Sequence, residues 1–309
     1  MIQAEHLTKK FGDFTALSDI RCRIPEGCIY GMVGSNGAGK STFLRLVSGI
    51  YRPDSGSVQI DGEPVYENPA AKEKISFVPD DLYFMGGASM NRMADLYSAA
   101  YPRFDRHRYE YLIKTFELNP ERSTNGFSKG MRRQAAIILA LSRRPRYLFF
   151  DETFDGLDPV MRNLVKSLIV KDVLEDKATA IITSHSLREL EDTCDQLALL
   201  HKGGVVLESD ILNLKTTLFK LQVAFSDTYG EERFAGIEKL HYSKRGSVTT
   251  LIARGDKKAI MAQLSAMDPL LLDVLPLTLE EVFTYELEAL GYHFDIGGYD
   301  FEKEEERQK

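Results

Sequence analysis

Gly34-Ser35-Asn36-Gly37-Ala38-Gly39-Lys40-Ser41-Thr42 fits the pattern G-x-x-x-x-G-K-[ST], and its flanks give it a strand–loop–helix setting. Upstream, Gly27 to Val33 reads as a short buried strand. Downstream, Thr42 to Ser48 is apolar at helical spacing. The glycines let the backbone curl until successive N–H groups converge on one anion, and the helix start adds partial positive charge. The spacing therefore predicts a phosphate cradle. Lys40 reaches the β- and γ-phosphates of a nucleotide, and the Ser41 hydroxyl holds Mg²⁺. This stretch specifies a nucleotide and leaves open what the nucleotide drives.

The chain around it has 309 residues, 43% hydrophobic and 28% charged, with a net charge of -7. That suits one large globular domain or two smaller ones. The acidic balance argues against nucleic-acid binding through overall charge. Cys22, Cys28 and Cys194 are scattered, with no histidine at ligand spacing, so no zinc site is expected. Free thiols and the lack of a leader pattern point to a reducing cytoplasm. No stretch approaches the roughly 18 apolar residues of a spanning helix; work at a membrane would need another protein to cross it.

Working outward, residues 1–30 read as strands. Phe11 sits just upstream of the cradle, where an aromatic ring either stacks on a purine or simply packs. Pro53-Asp54-Ser55-Gly56 and Asp61-Gly62 are turns. Ile75 to Pro79 is a strand leading into Asp80-Asp81, which either touch Mg²⁺ or a water, or cap a helix. Residues 82–125 form a helical insertion. Tyr97, Tyr101, Arg103, Arg106, Arg108, Tyr109 and Tyr111 would give it an aromatic, charged face suited to a protein partner; a solvated helix pair is the alternative.

Ser128 stands at an N-cap position before a buried helix from Ala135 to Ser142, and Ser128, Lys129 and Gly130 together make a second anion site in principle. Arg146 to Phe150 is a buried strand ending in Asp151-Glu152. Ligands of parallel sheets bind at such carboxyl ends; Asp151 is placed for the Mg²⁺ shell and Glu152 to polarise water. A turn from Phe154 to Pro159, a helix over 160–176 and a strand from Ala178 to Thr183 follow, and His185 then lies in the same layer. Leu187 to Asp195 reads as a helix. Beyond residue 214 a small α+β appendage is expected over 214–295, with strands at 218–226, 248–254 and 270–275 and helices at 257–267 and 278–290. Residues 296–309 form a charged, flexible tail.

Taken in order, the cradle, the insertion, the Ser-x-Gly helix start, the Asp-Glu strand end, the Leu-Asp turn and the Ser-His pair make the chain resemble the ATP-binding subunit of an ABC transporter over roughly residues 1–213. The resemblance implies an α/β P-loop ATPase with an antiparallel β subdomain and a helical subdomain at about 82–145. It places ATP on Phe11 (the aromatic A-loop position) and on Gly34, Ser35, Asn36, Gly37, Ala38, Gly39, Lys40, Ser41 and Thr42. It makes Ser128, Lys129 and Gly130 part of the signature segment, Glu152 the catalytic glutamate, His185 the switch histidine and Asp158 a D-loop residue, with Mg²⁺ on Ser41, Asp80 and Asp151. Lys40, Glu152 and His185 would carry catalysis.

Two positions depart from the family. Asp80 stands where glutamine is usual, and Phe127-Ser128-Lys129-Gly130-Met131 replaces Leu-Ser-Gly-Gly-Gln. The implied engine is a head-to-tail dimer, of this chain with itself or a homologue, closing on two ATP to drive a separate membrane permease. It would sit peripherally on the inner face of the cell membrane, in an exporter, with no nucleic acid involved. A soluble ABC ATPase acting on ribosomes or DNA, and a regulatory half of a heterodimer, are the competing readings.

Overall fold

The computed structural model describes residues 1–294 and 301–303. The chain divides into two compact units, Met1–Glu208 and Ser209–Lys309. In chain order the first unit carries β1 (Ile2–Phe11), β2 (Phe14–Ile24), β3 (Ile29–Val33), α1 (Lys40–Val47), β4 (Ser55–Ile60), β5 (Glu63–Pro64), α2 (Pro69–Glu73) and β6 (Ile75–Val78). Next come α3 (Met90–Ala100), α4 (Arg106–Thr115), α5 (Lys129–Ser142), β7 (Tyr147–Asp151), α6 (Pro159–Asp176), β8 (Thr179–Ser184), α7 (Leu187–Glu191), β9 (Gln196–His201) and β10 (Gly204–Asp210), whose last two residues fall in the second unit.

A six-stranded sheet of order β10-β9-β3-β8-β7-β6 forms the centre. Its pairings β9/β3, β3/β8, β8/β7 and β7/β6 are parallel. β3, β7 and β8 are buried along their whole length, as expected for strands covered on both faces. Their register aligns the carboxyl ends: Val33 lies opposite Ser184, Thr183 opposite Asp151, and Phe150 opposite Val78. Every segment leaving that edge starts in one layer. A second, antiparallel sheet, β2-β1-β4-β5, shares a core with α1 through Leu17, Ile20, Phe43, Leu44 and Ile60.

The insertion is helical, but most of its aromatic residues face inward. Tyr109 is buried and donates its hydroxyl to Asn91. Arg108 is paired with Asp172 on α6, both largely buried. The Arg143 guanidinium lies 3.5 Å from the Tyr101 ring, which packs against Tyr97. Tyr83 and Tyr111 stay exposed. The expected aromatic face is therefore narrower than the sequence pattern implied, because burying these rings outweighs displaying them. Between the insertion and the sheet runs a groove of about 780 Å³, lined by Ile50, Pro79, Leu82, Tyr97, Ala136 and Leu139 among others.

Two local readings change. Asp80 and Asp81 cap no helix; the next begins at Met90 behind its cap, Ser89. And α7 stops at Glu191, short of the predicted Asp195. The Asp195 backbone N–H donates to Ile29 carbonyl oxygen while its carboxylate accepts from the Ile29 N–H, so β3 captures the chain there.

The second unit carries α8 (Ile211–Thr217), β11 (Leu218–Ala224), β12 (Lys239–Arg245), β13 (Val248–Arg254), α9 (Lys257–Ser265), β14 (Leu271–Leu275), α10 (Leu279–Ala289), β15 (Tyr292–Phe294) and β16 (Phe301–Lys303). Its sheet runs β12-β13-β11-β14, with antiparallel pairings throughout. With α9 between β13 and β14, this is the strand order of a split βαβ plait. Phe219, Leu221, Val223 and Phe225 alternate onto one face and pack with Ile260 and Leu264 of α9. Thr278 and Glu281 close α10 with a reciprocal capping box. β12, half-buried and mostly polar, has too weak an alternation to be read from sequence. Apart from β16, the expected flexible tail over 296–309 lies outside the described residues.

Candidate active site

The cradle follows β3 and leads directly into α1. Gly39 is the N-cap of α1 at φ 111, and a Cβ there would stand 2.5 Å from Leu17 Cδ2 and 2.8 Å from the Ala16 carbonyl oxygen. Only glycine fits such a conformation and such an approach. Lys40 is 5% exposed. Its ammonium donates to the carbonyl oxygens of Gly34 (2.6 Å) and Ser35 (3.2 Å), and lies 3.1 Å from Glu152 Oε1. The lysine thus folds back over its own loop.

Asp151 ends β7 and is fully buried. Its Oδ1 accepts from the Ser41 hydroxyl (2.9 Å) and the Thr183 hydroxyl (2.8 Å). Its Oδ2 has no partner among the described residues. Burial pushes the carboxyl pKa upward, and the Thr183 and Ser41 hydrogen bonds work against that shift. An orphaned buried carboxylate oxygen beside a serine hydroxyl is a donor set that fits a hard divalent cation. Thr183 was missed in the sequence; its signal was a hydroxyl at the carboxyl end of an otherwise apolar strand.

Glu152 has φ 47, an uncommon conformation for a residue with a side chain. Its backbone N–H donates to Thr183 Oγ1 at 3.1 Å, so one threonine fastens both carboxylate residues. The Glu152 carboxylate is split between two bases: Oε1 faces Lys40, and Oε2 lies 3.0 Å from His185 Nδ1. The side chain is 12% exposed, against 49% for His185. Asp155 joins Glu152 and His185 in one cluster, its ligand atom within 4.8 Å of theirs.

The remaining expected residues sit apart from this cluster. Phe11, partly exposed at the end of β1, packs edge-on against Tyr51 at 5.5 Å. Ser128 caps α5, its hydroxyl accepting from the Met131 N–H. A Cβ on Gly130 would lie 2.9 Å from the Gly156 carbonyl oxygen, and the stem of Lys129 lies across Gly156. The signature segment and the 154–158 turn therefore touch within one protomer. Asp158 caps α6 by accepting from the Val160 and Met161 N–H groups. Among the described residues, no hydrogen bond or ion pair joins Ser128, Lys129, Gly130 or Asp158 to the cradle. Asp80 Oδ1 accepts from the buried Arg133 at 2.8 Å.

The ABC transporter family model matches residues 17–155. The ABC transporter ATP-binding protein YtrB of Bacillus subtilis is 31% identical over 286 residues, covering 92% of this chain and 97% of its own length. The linearmycin resistance ATP-binding protein LnrL of the same organism is 33% identical over 214 residues, covering 67% of this chain and 68% of its own. Among solved structures, the dimeric ATP-binding cassette MJ0796 bound to ADP and phosphate matches with a TM-score of 0.62 at 23% identity. That match covers 68% of this chain and 99% of MJ0796, and it shows the fold. A glycine cradle, a buried carboxylate beside a serine and a glutamate shared by lysine and histidine, on a fold and a sequence of this ancestry, place the chain among the ATP-binding ATPase subunits of ABC transporters.

Proposed function

We propose that this chain hydrolyses Mg²⁺-ATP as one half of a head-to-tail dimer and drives a separate membrane permease, in the export direction, from the cytoplasmic face of the membrane. The carrying observation is Glu152, held between Lys40 and His185 beside the orphaned oxygen of Asp151. Lys40 and the backbone N–H groups of residues 34–42 hold the β- and γ-phosphates. Ser41 and Asp151 would hold Mg²⁺, which supplies Lewis acidity at the phosphoryl oxygens. Glu152 accepts a proton from the attacking water, and His185 steadies its carboxylate. Phe11 offers a ring to the adenine. Ser128, at the amino end of α5, meets the γ-phosphate held by the other protomer, with Lys129 and Gly130 beside it.

No described helix is long and apolar enough to cross a membrane, which supports a separate permease. The groove beside the insertion is the proposed seat for a cytoplasmic helix of that permease. Export is favoured by the resistance role in the name of LnrL. The test is turnover of purified protein against Glu152→Gln, with size exclusion in ATP. The variant should lose at least about a hundredfold in rate, the usual scale for a general base, and accumulate as an ATP-held dimer. A wild type that binds ATP but neither turns over nor dimerises would break the proposal in favour of an obligate unlike partner.

A further inference from the structure

Asp80 follows β6, the neighbour of β7, and stands just beyond the register pair Val78/Phe150. Arg133, on the second turn of α5, is 1% exposed. Its guanidinium donates through Nη1 to the carbonyl oxygens of Pro79 (3.0 Å) and Asp80 (3.1 Å), and through Nη2 to Asp80 Oδ1 (2.8 Å); its Nε is buried without a partner among the described residues. Arg132, beside it, donates to the Leu82 carbonyl oxygen at 3.0 Å and lies 5.0 Å from the Phe84 ring. Two adjacent arginines of one helix thus hold the segment 79–84.

A buried guanidinium needs a counter-charge, and the only carboxylate paired with Arg133 among the described residues is that of Asp80, itself 57% exposed. Withdrawing it would leave Arg133 charged, buried and held by two carbonyl oxygens alone, the situation in which removing one partner of an ion pair is most costly. Asp80 Oδ1 is therefore committed. The segment held this way lines the groove through Pro79, Leu82 and Phe84, and α5 lines it through Ala136 and Leu139. At its amino end, one turn before Arg133, α5 is capped by Ser128.

We propose that Arg133 is a positioning residue. With Arg132 it clasps segment 79–84 to the helix that Ser128 leads, Asp80 serves as its counter-ion in preference to a metal ligand, and the clasp sets where Ser128 meets the partner's γ-phosphate. The inference rests on the proposed head-to-tail dimer. It explains why an aspartate stands at position 80: the position is matched by a cation from α5, and the two residues form a charge pair.

The experiment uses the full chain in a Glu152→Gln background and separates two readouts. One is binding of a fluorescent ATP analogue by the monomer; the other is the ATP concentration that drives half-maximal dimerisation in analytical ultracentrifugation. R133Q should raise the second at least about tenfold and leave the first within about twofold. D80Q/R133Q, a neutral hydrogen-bonding pair, should recover most of the loss, a non-additivity expected of contacting residues. If R133Q does not fold, D80A, at an exposed position, carries the same expectation. D80N should leave the apparent Mg²⁺ affinity of nucleotide binding within about twofold, because a water-mediated or absent contact loses little. Dimerisation of R133Q like wild type, loss of monomer nucleotide binding along with it, or no recovery in the double variant overturns the clasp. A weakening of Mg²⁺ affinity by about fivefold or more in D80N overturns the counter-ion assignment. Failure of the parent itself to dimerise with ATP would sink the proposed dimer, and the clasp's role with it.

Discussion

Two neighbouring strands of one sheet, β6 and β7, both run out into paired acids, Asp80-Asp81 and Asp151-Glu152, and the two pairs have opposite fates. Asp151 is fully buried with one oxygen unclaimed, and Glu152 is shared by a lysine and a histidine. Asp80 is more than half exposed and committed to a buried arginine. In sequence both read as carboxylates at a strand's carboxyl end. The difference lies in what each meets. β7 lies between β8 and β6, facing the cradle, and Thr183 of β8 reaches it. β6 is the sheet's edge strand, and Asp80 beyond its end turns toward Arg133 of α5. On the proposed function, an acidic strand end is open to a metal and a water where its neighbours leave an oxygen unpaired, and is spent as a counter-charge where a protein cation meets it.

The largest expected effect that would break this contrast is at Asp151. D151N should lower turnover by roughly a thousandfold, corresponding to about 4 kcal/mol of charge stabilisation at the phosphoryl group. The same variant should make the nucleotide-free protein more stable. Burial holds the Asp151 carboxyl above its ordinary range, so the folded state binds the proton more tightly than the unfolded one. Its contribution to stability is then most favourable below the unfolded pKa and is lost as pH rises through the folded one; at neutral pH the ionised group is a liability. Removing that charge should gain about 1 kcal/mol, or roughly 2–4 °C in melting temperature at pH 7, with little or no gain at pH 3. A D151N protein that melts lower at pH 7 would mean that the Ser41 and Thr183 hydrogen bonds already compensate the buried charge.

Next in size is Thr183, the residue that ties both β7 acids to β8. T183V strips Asp151 of one donor and Glu152 N–H of its acceptor. It should cost about 2 kcal/mol of stability and lower turnover more than nucleotide affinity. An unchanged turnover would show that β7 alone positions Glu152. The smallest effect is at Asp158, where the structure shows a cap and, among the described residues, no hydrogen bond or ion pair to the cradle. D158A should cost about 1 kcal/mol by urea denaturation. If D158A also weakened ATP-driven dimerisation beyond that loss, Asp158 would have a second role across the dimer.

The sequence was most legible where chemistry demands fixed local spacing. Gly34 to Thr42, the Asp-Glu strand end and the Ser-His pair announce themselves because cradle, carboxylates and histidine each hang on one strand's end. It was least legible where partners are distant. Arg133 and Asp80 are 53 positions apart, and nothing local in Met131-Arg132-Arg133-Gln134 says that one arginine is buried and its neighbour less so. The insertion shows the same limit: a helix rich in tyrosine and arginine reads as a surface, yet Tyr109 and Arg108 are spent on the core and on Asp172. Composition does not separate a displayed ring from a packed one; tertiary contacts do. Polar β12 stayed hidden for the related reason that a half-buried strand need not alternate strongly.

Lys40 carries a final consequence. Its ammonium has three oxygens around it, two from its own loop and one from Glu152. Any phosphate that enters must outcompete contacts the protein makes with itself. A triphosphate can do so, because it brings several charges and engages the loop's N–H groups at once. Free phosphate brings one group and displaces the same lysine. On the proposed function, the folded-back side chain would make this loop favour a polyphosphate over orthophosphate, and competition between the two for the purified protein would check it.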